Sequence, residues 1–143
     1  MKKMDKAEAY EFLATGTRTG KLATVREDGR PHVAPIWFVL DGDDLVFNTW
    51  HSSVKGKNLV RDGRIALTVD EEVAPYAFVI VEGTVEITED DPVESLKWAT
   101  LIGARYMGED QAEAFGKRNS VPGELLVRIK VDKIVAQKEL AAW

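Results

Sequence analysis

The chain has 143 residues, of which 45% are hydrophobic and 30% are charged, and its formal net charge is −5. This length predicts a single domain over 1–143, and the acidic balance argues against a nucleic-acid-binding protein. There is no cysteine, and His32 and His51 are the two histidines. Disulfides, thiolate zinc sites and a three-histidine metal site within one chain are therefore excluded, and we expect no bound metal.

The amino terminus does not have the pattern of a signal peptide. Asp5, Glu8 and Glu11 stand where the apolar core of such a peptide would run. No stretch of the sequence approaches the roughly 18 uninterrupted apolar residues of a membrane span. We therefore expect a cytoplasmic protein that does not engage the membrane.

Hydrophobic periodicity predicts four helices and six strands along the chain. In chain order we expect a helix over 5–14, strands over 21–26, 31–40 and 45–50, a short helix within 51–64, strands over 65–69 and 76–88, helices over 91–107 and 110–118, and a strand over 125–135. Tight turns join several strands, with Asp28-Gly29 at the centre of the first. This pattern predicts a mainly β fold with inserted helices, built as a closed or nearly closed antiparallel barrel.

The second predicted strand contains a proline, Pro35, followed by Ile36 and Trp37. Because proline cannot donate to a strand ladder, this point is an edge or a bulge. A bulge can present backbone N–H and C=O groups to a planar ring, and the Trp37 indole can pack against the same ring. The plainer interpretation is that Trp37 belongs to the core.

The segment 51–64 is basic, with four lysines and arginines against one acid. It follows a strand and opens a helix, and a helix N-terminus offers free N–H groups and the positive end of a dipole. Ser52, Ser53, Lys55 and Lys57 at this point predict a phosphate site. The alternative interpretation is a solvent-exposed helix whose lysines bind no ligand. Together with the flat apolar surface at Trp37, the segment suits a cofactor that has a ring and a phosphate.

Other motifs do not carry a function. Residues 16–22 are similar to a P-loop, but they have one residue too few between the glycines and they precede a strand. The sequence contains no dinucleotide-binding glycine fingerprint and no nucleophile elbow. His51 lies beside two serines, but no oriented acid is evident, so a hydrolase triad is not indicated.

The order of these features resembles the split β-barrel flavoproteins related to pyridoxamine 5′-phosphate oxidase. The likeness is carried by the hairpin over 20–33, the strand over 35–38, the loop over 53–62 and the long strand over 76–85. Within that family, the pattern over 24–37 is similar to the actinobacterial branch that uses the deazaflavin coenzyme F420. True pyridoxamine phosphate oxidases carry further basic residues near the C-terminus, and this chain has no such cluster.

The resemblance implies a six-stranded antiparallel split barrel that forms a homodimer with the cofactor at the subunit interface. It implies coenzyme F420, with FMN as the alternative, and hydride transfer to an activated C=C bond or a quinone-like small molecule. The residues implied to bind the cofactor are Pro35, Ile36 and Trp37 at the ring, and Ser53, Lys55 and Lys57 at the phosphate, with Thr49 and Ser52 in support. No side chain is identified as catalytic, because the cofactor supplies the hydride and a proton can come from solvent.

Other functions remain open at this point. One is an FMN-binding oxidoreductase, such as a flavin reductase or an enzyme similar to pyridoxamine phosphate oxidase. Another is a non-enzymatic protein that holds a flavin or a tetrapyrrole. A barrel without a cofactor is a third, and the local positive charge of 51–64 argues against it.

Overall fold

The computed structural model describes residues 1–143 and contains eight strands, four α-helices and one 3₁₀ helix. The strands are β1 (Lys2–Lys3), β2 (Gly20–Val25), β3 (Pro31–Ile36), β4 (Val39–Asp41), β5 (Asp44–Trp50), β6 (Arg64–Glu71), β7 (Ala77–Thr88) and β8 (Glu124–Lys138). The helices are α1 (Lys6–Ala14), α2 (Val54–Arg61), α3 (Pro92–Met107) and α4 (Ala112–Arg118), with the 3₁₀ helix at Glu109–Gln111. None of these helices is both long enough and apolar enough to cross a membrane.

All strands belong to one antiparallel sheet with the order β3-β2-β6-β7-β8-β5-β4, and β1 pairs with the end of β8. The two end strands, β3 and β4, do not pair with each other, so the sheet is not closed. The prediction of a mainly β split barrel with inserted helices is confirmed. The sheet has eight strands instead of six because the predicted strand 31–40 is divided into β3 and β4, and because β1 adds a two-residue strand.

The break between β3 and β4 falls at Trp37 and Phe38. Here the end of α3 satisfies the backbone: Tyr106 Oη accepts a hydrogen bond from the Phe38 N–H at 3.3 Å, and the Arg105 guanidinium donates to the Phe38 carbonyl at 2.7 Å. Because these side chains replace strand partners, the chain leaves the ladder without losing hydrogen bonds.

Pro35 lies on an edge strand, as its sequence predicts. β3 pairs with β2 alone, and Pro35 stands opposite Lys21 in that pair. The missing N–H of a proline costs nothing on the unpaired side of an edge strand. The residues of β3 that alternate outward are exposed, while Ile36 at its end is buried.

The main core fills the concave side of the sheet. Its fully buried side chains include Leu13, Leu22, Phe38, Leu45, Phe47, Leu67, Val69, Val79, Val81, Val127 and Ile129. A second, smaller cluster joins Val46, Trp98 and Leu126. Because successive residues of a strand point to opposite faces, Val46 lies on the outer face of β5, and so does Asn48 two residues later. Helix α3 covers this outer face.

Candidate functional site

A cavity of about 310 Å³ lies where the outer face of β5 meets α3 and the start of α2. The residues that line it are Pro35, Trp37, Asn48, Thr49, Trp50, Lys55, Ile102, Asn119 and Glu124. Four of the predicted cofactor-binding residues are among them: Pro35, Trp37, Thr49 and Lys55. The structure therefore brings the predicted ring platform and one lysine of the predicted phosphate site, Lys55, into one cavity.

The Trp37 indole is held in a fixed orientation by the end of α3. It stacks on the Tyr106 ring with the centroids 5.2 Å apart and the planes 2° from parallel, and the Phe115 ring lies 5.9 Å away. Tyr106 is itself anchored, because its hydroxyl donates to the Arg18 carbonyl at 2.9 Å. Burial raises the pKa of Tyr106, so this phenol stays protonated and can keep donating. A preorganised aromatic surface of this kind suits a planar ligand.

Ile36 differs from its neighbours because its side chain points into the core. It is 5% exposed and belongs to the main core cluster. A ligand in the cavity can therefore meet Ile36 through its backbone only.

The start of α2 is shaped by Ser53, the residue that caps the helix. The Ser53 hydroxyl accepts a hydrogen bond from the Gly56 N–H at 3.0 Å, donates to the Trp50 carbonyl at 2.7 Å and lies 3.2 Å from Thr49 Oγ1. This hydroxyl is therefore engaged within the chain. The backbone N–H groups of Val54 and Lys55, in the first turn, have no acceptor within the helix and are therefore available to an anion.

Gly56 allows the helix to begin this close to the end of β5. A Cβ at this position would lie 2.5 Å from the Trp50 carbonyl oxygen, a distance that no side chain tolerates. Because residue 56 has no side chain, Lys55 can reach the cavity directly beside Thr49 and Trp50.

The two lysines of the predicted phosphate site do not share a cavity. Lys55 lines the cavity beneath Trp37. Lys57 lies in a separate groove of about 480 Å³, together with Arg26, Glu27, Asp28, Arg30, Val54, Asn58 and Arg61. Ser52 lies exposed in the turn before α2 and lines neither space. Residues two apart on a helix point in nearly opposite directions, which explains the separation of the lysines.

Three polar residues of the cavity were not predicted from the sequence: Asn48, Asn119 and Glu124. Both amide atoms of Asn48 are buried and have no hydrogen-bond partner. Glu124, the first residue of β8, forms no hydrogen bond through its carboxylate and no ion pair, although it is partly buried. Asn48 could have been recognised in the sequence, because it is a polar residue within the apolar run of β5. Nothing in the local sequence distinguished Glu124 from other glutamates.

Glu124 is the one acidic residue that lines the cavity. Burial raises the pKa of its carboxyl, and the nearby charges of Lys55, Arg118 and His51 oppose that shift only in part. The carboxyl therefore takes up a proton more readily than an exposed glutamate does. One cation and one perturbed acid face the same space.

His51 does not line the cavity and is instead bonded to the turn that precedes β8. Its backbone N–H donates to the Gly123 carbonyl at 2.9 Å, and its Nδ1 lies 3.1 Å from the same oxygen. Gly123 has a φ of +101°, and a Cβ there would lie 2.6 Å from the Trp50 ring. These contacts give His51 a structural role.

A larger cavity, of about 470 Å³, lies between α1 and the end of β8. Each of its cations is paired with an acid: Lys6 with Asp43 at 2.7 Å, Lys130 with Asp44 at 2.8 Å and Lys133 with Glu82 at 3.9 Å. Because no unpaired cation faces this cavity, it is the weaker candidate for a cofactor that carries a phosphate.

Comparison with known proteins gives a family for the chain. Residues 6–138 match the family described as pyridoxamine 5′-phosphate oxidase. Among solved structures, the conserved hypothetical protein Rv2991 from Mycobacterium tuberculosis is 25% identical, with a TM-score of 0.84 and a match that covers 98% of this chain and 89% of that protein.

Two further solved structures are similar to this chain. One is named an F420 reductase; it is 29% identical, has a TM-score of 0.69, and the match covers 87% of this chain and 94% of that one. A FAD-binding protein from Mesorhizobium loti is 20% identical, with a TM-score of 0.66 and coverage of 94% of this chain and 95% of that one. The second likeness is evidence for the fold.

Proposed function

Because this chain belongs to the pyridoxamine 5′-phosphate oxidase family of flavin- and deazaflavin-binding split barrels, we propose that it is a reductase that uses coenzyme F420. The observation that carries the proposal is the single cavity that contains both Trp37 and Lys55. An F420 cofactor has a planar ring and a phosphodiester, and this cavity offers an aromatic platform and a cation. The likeness to a protein named F420 reductase supports the choice of cofactor.

The residues of the cavity fit such a group. Pro35, the Ile36 backbone and Trp37 would face the ring, and Lys55 would bind the phosphate as a charge-assisted donor. The free N–H groups at the start of α2 would add to the same phosphate site. Thr49 supports that site by its contact with the Ser53 cap at 3.2 Å.

The reduced deazaflavin supplies a hydride when it is bound, so the protein's contribution is to bind, orient and exclude water. The Trp37 indole, which stacks on Tyr106 and contacts the tilted Phe115 ring, would shield one side of the bound ring from water. We propose a small molecule with an activated C=C bond or a quinone as the hydride acceptor. We also propose a homodimer in which the partner subunit covers the open side of the cofactor.

The alternative cofactor is FMN, which would make the protein a flavin reductase or an oxidase. FMN also joins a planar ring to a phosphate, so Trp37 and Lys55 suit it in the same way. The name of the matched family favours this alternative. A protein that binds either cofactor without turnover would be a carrier.

The proposal is tested by parallel fluorescence titrations of the purified protein with F420 and with FMN. We expect tighter binding of F420, followed by oxidation of reduced F420 when quinones or unsaturated lactones are added. Preference for FMN would move the protein to the flavin branch of the family. Binding of neither cofactor would contradict the proposed function.

The role of Lys55 is tested by Lys55→Ala, with Lys57→Ala as the matched variant from the same helix. Loss of a hydrogen bond from a charged group costs about 1.5–3 kcal/mol, so we expect roughly tenfold to hundredfold weaker binding of the cofactor to Lys55→Ala. Lys57 lies in a different groove, and we expect a smaller effect from its loss. Equal affinity of Lys55→Ala and wild type would contradict the assignment.

A further inference from the structure

The Asn48 side chain is the least satisfied polar group in the candidate cavity. Its Nδ2 and Oδ1 are both buried, and neither has a hydrogen-bond partner in the chain. Asn48 lies on β5 between Val46, which is fully buried beneath α3, and Trp50, which lines the same cavity. An amide with both ends unpaired is costly in a folded protein, because each buried polar group loses its hydrogen bonds to water.

Another asparagine of the same chain shows the ordinary arrangement. Asn58 is 4% exposed; its Nδ2 donates to Thr24 Oγ1 at 3.0 Å, and its Oδ1 accepts from the Arg61 guanidinium at 3.3 Å. Asn58 is therefore a structural residue whose hydrogen bonds tie α2 to β2. Asn48 has no such partners, so the fold itself does not account for an amide at this position.

Asn48 and Asn119 are the two carboxamides that line the cavity, and Asn48 is the one whose Nδ2 and Oδ1 are both buried without a partner. Lys55 supplies the positive charge, and Trp37 supplies the apolar surface. The Thr49 hydroxyl is engaged with Ser53. Asn48 is neutral and offers one donor and one acceptor side by side. It therefore complements a neutral group that both accepts and donates hydrogen bonds.

We propose that Asn48 is a ligand-recognition residue, whose carboxamide pairs with a neutral donor–acceptor group of the bound cofactor. This inference rests on the proposed function, since a flavin or deazaflavin has two groups of this chemistry. One is the set of hydroxyls on the chain that joins the ring to the phosphate, and the other is the imide edge of the ring. F420 and FMN share both groups, so the inference does not depend on which cofactor is bound.

The test compares Asn48→Leu with Asn58→Leu. Leucine is similar in size to asparagine and removes the amide. Without ligand, we expect Asn48→Leu to raise the melting temperature above that of wild type, because an unpaired buried polar group is lost. We expect Asn58→Leu to lower the melting temperature, because it leaves its partners unpaired. Asn48→Ala provides the binding measurement if the leucine variant does not fold.

Binding is measured by fluorescence titration with riboflavin and with lumichrome, which both lack the phosphate, so that Lys55 does not contribute. Lumichrome retains the imide edge and lacks the hydroxyl chain. We expect Asn48→Leu to bind riboflavin about tenfold more weakly than wild type does. An equal loss for lumichrome assigns the imide edge as the partner of Asn48, and a loss confined to riboflavin assigns the hydroxyls.

Riboflavin affinity equal to that of wild type, in Asn48→Leu or in Asn48→Ala if the leucine variant does not fold, would overturn the inference. Binding of F420 by the wild-type protein would still uphold the proposed function in that case. Failure of the proposed function can also be distinguished from failure of the inference about Asn48. Wild-type protein that binds riboflavin through Asn48 but binds neither F420 nor FMN would leave the inference standing and remove the proposed cofactors. Wild-type protein that binds none of the four compounds would overturn both.

Discussion

Individual polar residues in the wall of the cavity set its chemistry. Trp37 and Ile102 are apolar, and among them stand one cation, Lys55, and one acid, Glu124. Glu124 has no hydrogen-bond donor or ion-pair partner of its own, so burial penalises its charged form and the pKa of its carboxyl rises. A raised pKa in the folded state links the stability of the protein to pH.

Substitution of this carboxyl should stabilise the protein at neutral pH. The folded state holds the Glu124 proton more tightly than the unfolded chain does, so the protein loses stability as pH rises through the folded-state pKa. Above that pKa, the folded protein carries the full free-energy cost of a buried, charged carboxylate. Glu124→Gln removes that cost. We expect a higher melting temperature than wild type at pH near 7, and no difference below the ordinary glutamate value of 4.5, where both states are protonated.

Thermal unfolding of both proteins across this pH range measures the effect. Glu72→Gln is the control, because Glu72 is exposed in the loop after β6 and forms no ion pair. We expect Glu72→Gln to follow wild type at every pH. A Glu124→Gln variant that was less stable than wild type at neutral pH would mean that the carboxylate makes a favourable contact when charged.

Helix α2 is the element that decides where the cation lies. It begins at a serine cap and contains Gly56, which lets the first turn pack against the Trp50 carbonyl. Leu59 anchors the inner face of the helix in the main core. With that face buried, Lys55 is directed to the cavity and Lys57 to the opposite side, so the orientation of the whole helix assigns different surroundings to two similar side chains.

Loss of the helix cap should therefore affect both stability and binding. Ser53→Ala removes the acceptor of the Gly56 N–H, and a lost cap typically costs about 1 kcal/mol of unfolding free energy. We expect that loss in urea unfolding, together with weaker cofactor binding, because Lys55 lies in the first turn. Ser52→Ala is the matched control, since Ser52 is exposed and makes no cap hydrogen bond. Equal stability of the two variants would contradict the role of Ser53.

At the scale of the whole molecule, the open sheet leaves β3 with an exposed outer face. Pro31, Val33 and Pro35 alternate outward along this strand, and Val33 is 66% exposed. The prolines prevent another strand from extending the sheet here, so a partner would pack on the face of the strand. Because Pro35 also lines the candidate cavity, such a partner would come close to a bound cofactor.

We propose that a second copy of the chain covers this face, and Val33→Glu tests it. A charge placed in an apolar interface is costly to desolvate, so we expect the variant to sediment as a monomer where wild type sediments as a dimer. The variant should also bind the cofactor more weakly. Val93→Glu is the control, because Val93 on α3 is 76% exposed and distant in sequence from β3. A dimeric Val33→Glu protein would place the interface elsewhere.

The local pattern of the sequence determined the elements of this protein. The pattern of apolar residues predicted β2, β5, β6, β7 and β8 and predicted β3 and β4 as one strand, and the turn at Asp28-Gly29 predicted the hairpin between β2 and β3. The predicted helices 5–14 and 91–107 correspond to α1 and α3, which are capped by Asp5 and Asp91 in the structure. These features are decided by neighbours in the chain, which is why they can be recognised without the fold.

The division of the strand 31–40 required the tertiary structure. The side chains of Arg105 and Tyr106 on α3 hold the backbone of Phe38, and their distance along the chain hides that contact from any local pattern. The open ends of the sheet follow from the same long-range packing. The number of strands and the open ends of the sheet could therefore not be predicted from the hydrophobic periodicity of the sequence.

Some features of the candidate site could likewise be predicted from the sequence, and others required the tertiary structure. Ring-facing and basic segments were visible in the sequence, and the fold brings Pro35, Trp37, Thr49 and Lys55 to one cavity. Helix geometry by itself separates Lys57 from Lys55, whereas only the tertiary structure brought Glu124 to the wall of the cavity and left the Asn48 amide without a partner. Sequence determines which groups are available, but burial and hydrogen bonding depend on residues far away in the chain, and these decide which groups remain free to bind a ligand.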